Sequence, residues 1–215
     1  MFQDTHKPLR TWFLAMWFIA SQKNGMSALG LQRALGLGSY ETAWTWLHKL
    51  RRAMVRPGRD RLTCEIEVDE TYVGGTEEGK RGREVEKKSI VVVAAEKNGR
   101  AIGRIRLKRV KDVSAESLLD FIREAVEPGA TMAETNRLTK SCRAFIMSPR
   151  CSSAGFSALF KVVQHQHLDY YLDEFTFRFN RRRSNTRGLL FYRLTQQAVA
   201  VAPALYSSIV RGKFA

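Results

Sequence analysis

The chain has 215 residues, of which 44% are hydrophobic and 27% charged, a balance that indicates a soluble globular protein with room for one large or two small domains. Its 36 Lys and Arg against 21 Asp and Glu give a formal charge of +15, which favours a polyanionic partner, nucleic acid first, over a merely basic protein. Three scattered cysteines argue against a zinc ribbon and a disulfide framework and fit a reducing cytoplasm, and the apolar run 12–20 is too short to span a membrane.

Residues 7–56 carry helical periodicity with two interruptions, at Asn24-Gly25 and at Gly36. Two short helices split by a glycine turn favour a helix-turn-helix, a DNA-binding region, over a plain helical bundle with Trp44 and Trp46 in its core. The basic end of the last helix supplies three candidate DNA contacts: Lys49, Arg51 and Arg52. Pro57-Gly58 marks a boundary, so a helical domain is predicted over 1–57.

From residue 60 onward the periodicity changes to that of strands, predicted at 62–72, 89–96 and 102–110 with a hairpin turn at Asn98-Gly99. The apolar run 90–95 is typical of a strand buried on both faces. Ser114 then caps a predicted helix, whose buried stripe would consist of Leu118, Leu119, Phe121, Ile122 and Val126. Three antiparallel strands and a helix are the opening order of an RNase H-like α/β fold, predicted here over 60–210, which should next supply another strand.

The first of these strands holds the candidate site. Alternation places Ile66 and Val68 on one face and Glu67 and Asp69 on the other. A carboxylate at the end of a rigid strand is how many nucleases present a ligand to Mg²⁺. A polar strand end leading into a hairpin explains the same spacing, so the pattern leaves both interpretations open.

Four stretches together resemble a known family: 68–75 (VDETYVGG), 103–107, 167–182 and 187–194. They are similar to the ISXO-like insertion-sequence transposases of the DDE superfamily. The resemblance implies that the protein cuts and joins transposon ends, using Mg²⁺ or Mn²⁺ ions that carboxylates hold. The implied partner is terminal-repeat DNA, on which the protein would form a homo-oligomer. The implied location is the bacterial cytoplasm, at the nucleoid. It also implies that Asp69 is the first catalytic and metal-binding carboxylate.

The middle of the chain departs from that family pattern. A Thr-Asp-Gly strand end is expected after the Pro128-Gly129 turn, but this chain continues Ala-Thr-Met-Ala-Glu, and Glu134 is its candidate second metal ligand. No Asp occurs between Asp120 and Asp169, and 150–166 does not present the third ligand. Family-like sequence on both sides of 131–166 predicts a reading-frame shift and its later correction. The chain would then be a transposase without strand transfer, or a non-catalytic DNA-binding remnant.

The last third is rich in arginine and phenylalanine. Its predicted contacts to the DNA backbone are Arg178, Arg181, Arg182, Arg183 and Arg187, followed by Arg193, with a solvated basic face as the alternative. Near 175–179 the apolar pattern fits helix and strand. Asp173 and Glu174 are predicted to be structural and to pair with these arginines. Residues 194–210 are predicted to form a helix that packs on the sheet.

Overall fold

The computed structural model describes residues 1–2, 5–22, 25–56, 58–73, 88–99, 101–133 and 165–210. Its helices and strands, in chain order, are α1 (Leu9–Ser21), α2 (Ala28–Leu35), α3 (Tyr40–Ala53), β1 (Glu65–Val73), β2 (Ser89–Asn98), β3 (Ala101–Val110), α4 (Ala115–Ala125), β4 (Thr131–Met132), a 3₁₀ turn (His165–His167), α5 (Leu168–Asn180), α6 (Arg187–Ala200) and α7 (Tyr206–Val210). Among the described residues, no helix has the length and apolar character needed to cross a membrane.

The chain divides into two compact units. A helical unit combines Met1–Arg59 with Asp173–Ala215, and a sheet unit consists of Asp60–Leu172. The boundary near residue 60 lies where the sequence periodicity changes. The C-terminal helices, which the sequence assigned to the domain 60–210, are grouped with the N-terminal helices instead.

The predicted turn between two short helices is present in the helical unit. The Ser27 side chain accepts a hydrogen bond from the Gly30 N–H at 3.0 Å and so caps the start of α2. Gly36 ends α2 in the left-handed conformation, with φ 62°. Two short helices joined by a glycine turn are therefore present, while their function as a DNA-binding helix-turn-helix stays a prediction.

The core of the helical unit is built from both ends of the chain. Trp12 of α1 stacks on Trp46 of α3 with ring centroids 3.7 Å apart. Leu194 and Ala198 of α6 lie in the same buried cluster. The predicted packing of 194–210 on the sheet is therefore wrong. α1 is apolar around most of its circumference, and α6 covers part of it, with Trp17 of α1 and Phe191 of α6 having ring centroids 5.9 Å apart.

The sheet unit contains a mixed sheet of four described strands in the order β3-β2-β1-β4. β1, β2 and β3 pair antiparallel, whereas β4 runs parallel to β1. Two hydrogen bonds hold β4, from the Thr131 N–H to the Cys64 carbonyl and from the Ala133 N–H to the Ile66 carbonyl, both at 2.9 Å. This arrangement is consistent with an RNase H-like fold of mixed α and β structure.

Helix α4 covers one face of this sheet. Phe121 packs with Ile66, Val92 and Ala94 in a buried cluster. The Ser114 side chain caps α4 by accepting a bond from the Ser117 N–H at 3.3 Å, as predicted. The buried stripe predicted for this helix is wrong at one residue, Leu119, whose side chain is 48% exposed. The central strand β2 is buried from Val91 to Ala95, which confirms its prediction as a strand covered on both faces.

Candidate catalytic strand and nucleic-acid interface

The candidate carboxylate Asp69 lies on β1, on the face of the sheet opposite α4. Ile66 and Val68 belong to the cluster under α4, whereas Glu67 is on the other face and buried. The Asp69 side chain is half-buried, and its Oδ1 accepts a hydrogen bond from the Glu70 N–H at 2.9 Å. The alternation predicted from the sequence is confirmed for this strand.

The strands on one side of Asp69 offer it apolar neighbours. The residue paired with Asp69 on β2 is Val93, and the residue paired with Val93 on β3 is Leu107. Paired residues of antiparallel strands point to the same face, so this row of the sheet contains one carboxylate and two aliphatic side chains. An oxygen ligand that would join Asp69 around a metal must therefore come from outside this row of the sheet.

The strand on the other side, β4, is where the RNase H-like order places a second carboxylate. The strand is present after the Pro128-Gly129 turn, as expected, but its residues Thr131 and Met132 and the following Ala133 carry no acid. The candidate second ligand, Glu134, lies outside the described residues.

A divalent metal has no complete ligand set in the described part of the chain. Within those residues no group of three His, Cys, Asp or Glu side chains lies close enough to hold an ion. Mg²⁺ demands close to octahedral oxygen coordination, and one aspartate on a sheet does not supply it. The residues described here therefore do not fit the two-metal site that the family resemblance implies.

Another acid in the sheet unit, Asp169 at the start of α5, is engaged with a cation. Its Oδ2 accepts a hydrogen bond from Arg109 Nη2 of β3 at 2.9 Å. Burial raises the pKa of the Asp169 carboxyl, and the charge and hydrogen bond of Arg109 oppose that rise. This pair attaches the start of α5 to β3, so Asp169 has a structural role here.

Glu174 is the centre of a buried ion pair in the helical unit. Its Oε2 accepts a bond from Arg51 Nε at 2.7 Å, and its Oε1 accepts one from Arg178 Nε at 2.9 Å. Burial alone would raise the pKa of Glu174, but the charges and hydrogen bonds of Arg51 and Arg178 outweigh burial and lower this pKa to about 2. Glu174 is thus an ionised structural residue, which confirms its predicted pairing with an arginine of the C-terminal segment.

Two of the predicted DNA contacts hold helices together. Arg51 is 5% exposed and paired with Glu174. Arg178 also donates to the Ile19 carbonyl at 2.9 Å and the Gln22 carbonyl at 2.6 Å, at the C-terminal end of α1, where carbonyls lack helical partners. Because their donors face inward, we leave Arg51 and Arg178 out of the DNA-binding surface.

The other predicted contacts lie nearer to solvent. The guanidinium carbon of Arg181 lies 4.1 Å from the centre of the Phe177 ring, and that of Arg182 lies 3.9 Å from the centre of the Phe179 ring. Arg183 is exposed. Arg187 is exposed too and donates to the Ser21 carbonyl at 2.6 Å.

Lys49 and Arg52 form a second positive area, on α3. Both side chains are half-buried, and burial lowers the pKa of Lys49. Burial lowers the pKa of the Met1 amine, and the charges of Lys49 and Arg52 lower it further. The fold thus gathers positive charge that is separated along the sequence.

One comparison with known proteins found a relationship. Residues 61–138 match the family model described as ISXO2-like transposase domain. The match spans β1 to β4, includes Asp69, and confirms the resemblance to DDE-type insertion-sequence transposases for this segment. Neither the curated proteins nor the solved structures gave a match to this chain.

Proposed function

We propose that this chain is a transposase-derived DNA-binding protein that has lost the ability to cut and join transposon ends. One observation carries the loss of cutting. Asp69 lies on β1, but β4, the strand paired with the start of β1, contributes no carboxylate in its described residues, and the sequence has no Asp between Asp120 and Asp169.

Cutting by two metal ions requires several carboxylates around one pocket, because the ions must contact both the attacking and the leaving oxygen. A site reduced to Asp69 would bind Mg²⁺ weakly, since Mg²⁺ gives up its water shell only for well-placed oxygens. The proposed protein therefore keeps the sheet of a transposase without its chemistry.

DNA binding is supported by charge rather than by the catalytic strand. The net charge of +15 is accompanied by a set of basic side chains at or near the surface of the helical unit: Lys49, Arg52, Arg181, Arg182, Arg183 and Arg187. Contacts of this kind neutralise backbone phosphates and release counterions, so affinity should fall steeply as salt rises.

Fluorescence anisotropy of a labelled DNA duplex tests this part of the proposal. We expect binding at low salt, with the logarithm of the association constant falling linearly against the logarithm of salt concentration. A protein that shows no binding at moderate ionic strength would be basic for some other reason, and the proposal would fail.

The history of the locus offers a separate test. The family match ends at residue 138, and we propose that the part of 131–166 beyond it arose from a reading-frame shift that was later corrected. Translating the gene in its other two frames across these codons should restore an Asp-Gly pair and a lysine-containing helix. If neither frame does so, the frame-shift hypothesis is wrong.

A second candidate function is active transposition. It is favoured by the position of Glu134, two residues beyond Met132 of β4, the strand that pairs directly with β1. The two candidates differ in one observable, which is metal-dependent cleavage of terminal-repeat DNA.

A further inference from the structure

Helix α3 carries a polar stripe on the side opposite its core face. The core face consists of the residues of α3 that belong to the buried cluster of the helical unit: Ala43, Trp46, Leu47, Leu50 and Ala53. The polar stripe runs along the other side of the helix and consists of Glu41, Thr45, His48 and Arg52. In an amphipathic helix, the side opposite the core ordinarily faces solvent or a ligand.

The fold covers the middle of the polar stripe. Thr45 is 8% exposed, and His48 is 0% exposed. Part of this cover comes from Trp44, whose ring centroid lies 4.2 Å from that of His48. A helix that reads DNA in the major groove must present such side chains to the edges of the base pairs. In this conformation, therefore, α3 does not present its polar stripe to DNA.

Helix α7 lies against the start of the polar stripe. The Tyr206 hydroxyl of α7 donates a hydrogen bond to Glu41 Oε1, in the first turn of α3. One turn further along α7, the Ile209 side chain is 1% exposed and anchors the helix. The N-terminal residues of a recognition helix are the ones that contact base edges. Helix α7 thus occupies the end of α3 that DNA would have to reach.

The width of the major groove makes the two kinds of contact exclusive. The groove is about 12 Å wide, and one helix with its side chains is about 10–12 Å across. The groove therefore admits α3 alone but not α3 with α7 bound to its first turn.

We propose that α7 is an autoinhibitory segment, which covers the N-terminal end of the polar stripe and must leave before α3 can enter the major groove. This proposal rests on the DNA binding proposed above and adds a means of regulating it. The closed form still contacts the DNA backbone through the basic side chains at the surface of the helical unit. Helix α7 therefore limits the affinity for DNA without abolishing it.

An inner helix of a plain bundle is the alternative role for α3. It explains the burial of Thr45 and His48, and it makes α7 one more packing element. Loosening α7 would then lower stability and leave the affinity for DNA unchanged or lower. Under autoinhibition the affinity rises instead, because the form that can bind DNA becomes more populated. The sign of the change in affinity separates the two roles.

The test uses two full-length variants, each with a matched control. Tyr206→Phe removes the hydroxyl that bonds Glu41 and leaves the net charge at +15, and Tyr192→Phe makes the same change at an exposed position of α6. Ile209→Ala loosens the buried anchor of α7, and Val210→Ala shortens the next side chain, which is 40% exposed. Anisotropy of a labelled DNA duplex at fixed salt gives the affinity, and urea unfolding reports whether each variant is folded.

We expect Tyr206→Phe to bind DNA about fivefold more tightly than the wild type, the effect of losing one hydrogen bond that holds the closed form. Ile209→Ala should bind more tightly still, by on the order of tenfold. Both controls should bind as the wild type does. In hydrogen-exchange mass spectrometry of the wild type, saturating DNA should speed exchange in Tyr206–Val210, because α7 and DNA exclude each other.

Folded Tyr206→Phe and Ile209→Ala variants that bind DNA no more tightly than the wild type would overturn the autoinhibition and leave DNA binding intact. A wild type and variants that all fail to bind DNA at low salt would overturn the proposed function, and the autoinhibition with it. If Ile209→Ala does not fold, Tyr206→Phe decides alone, because it keeps the aromatic ring and its packing.

Discussion

Glu174 and Asp69 are two carboxylates in family-like stretches, and the groups around them differ in charge. Glu174 lies between two arginines in the helical unit, which hold it ionised with a pKa of about 2. Asp69 lies on a sheet whose neighbouring row contains Val93 and Leu107. An acidic residue becomes structural or catalytic through the groups around it.

The two surroundings also differ in how far along the chain they reach. Arg51 is 123 residues away from Glu174, so their pairing exists only in the folded helical unit. The neighbours of Asp69 lie on β2 and β3, which follow β1 in the chain and pair antiparallel. The Glu174–Arg51 pair therefore joins helices that are far apart in the sequence, whereas the surroundings of Asp69 follow from the pairing of successive strands.

The largest effect is expected from Glu174→Ala. Removing one partner of a buried pair leaves Arg51 charged and uncompensated, which should lower the free energy of unfolding by about 3–5 kcal/mol in urea unfolding. Asp120→Asn is the control, because the Asp120–Arg123 pair is exposed and should contribute less than about 1 kcal/mol. Equal effects of the two substitutions would contradict the structural role of Glu174.

Acid should weaken the same pair. The folded pKa of Glu174, about 2, is below its ordinary value of 4.5. The stabilisation is therefore fully present above about pH 4.5 and is lost as pH falls from there through 2. Between pH 4.5 and 2, the free energy of unfolding measured in urea should fall by on the order of 3 kcal/mol more in the wild type than in Glu174→Gln. Parallel pH curves for the two proteins would contradict this.

A smaller effect is expected where the backbone approaches Glu174. A Cβ added at Gly25, which has φ 82°, would lie 2.9 Å from Glu174 Oε1. Gly36 is the matched control, since its φ is 62° but nothing lies within 4 Å of an added Cβ.

Both Gly→Ala substitutions should cost roughly 1–2 kcal/mol for the left-handed backbone. Gly25→Ala should cost about 1 kcal/mol more than Gly36→Ala, because the carboxylate must move away from its arginines. Chemical unfolding of the two variants measures the difference. A Gly25→Ala variant as stable as Gly36→Ala would show that the carboxylate moves at no cost.

The smallest effect is expected at Asp69. At about 5 mM Mg²⁺, thermal unfolding should show less than about 0.5 kcal/mol of added stability in the wild type and in Asp69→Asn alike. A gain above about 2 kcal/mol in the wild type that vanishes in Asp69→Asn would mean that Asp69 has metal-binding partners after all.

The sequence predicted the parts of the fold that depend on local patterns. The alternation around Asp69, the apolar run of β2 and the Ser114 cap depend on a few adjacent residues, and all are confirmed. The packing of Leu194 in the helical core depends on contacts between the two ends of the chain, and its prediction was wrong. A periodic pattern shows which face of a helix is apolar and leaves open which surface will cover it.

The arginines show the same division. The sequence predicted a basic segment correctly but did not distinguish the arginines within it. The donors of Arg178 face Glu174 and the end of α1, and nothing in the local pattern separates Arg178 from Arg181, three residues later.

Incubation of the purified chain with duplex DNA carrying the terminal repeats of its own element, in Mg²⁺ or Mn²⁺, tests the central claim most directly. A denaturing gel reports new strand ends, and anisotropy of the same mixture reports binding. We expect salt-dependent binding with no metal-dependent cleavage. Cleavage that requires the metal and disappears in Asp69→Asn would contradict the account and establish an active transposase.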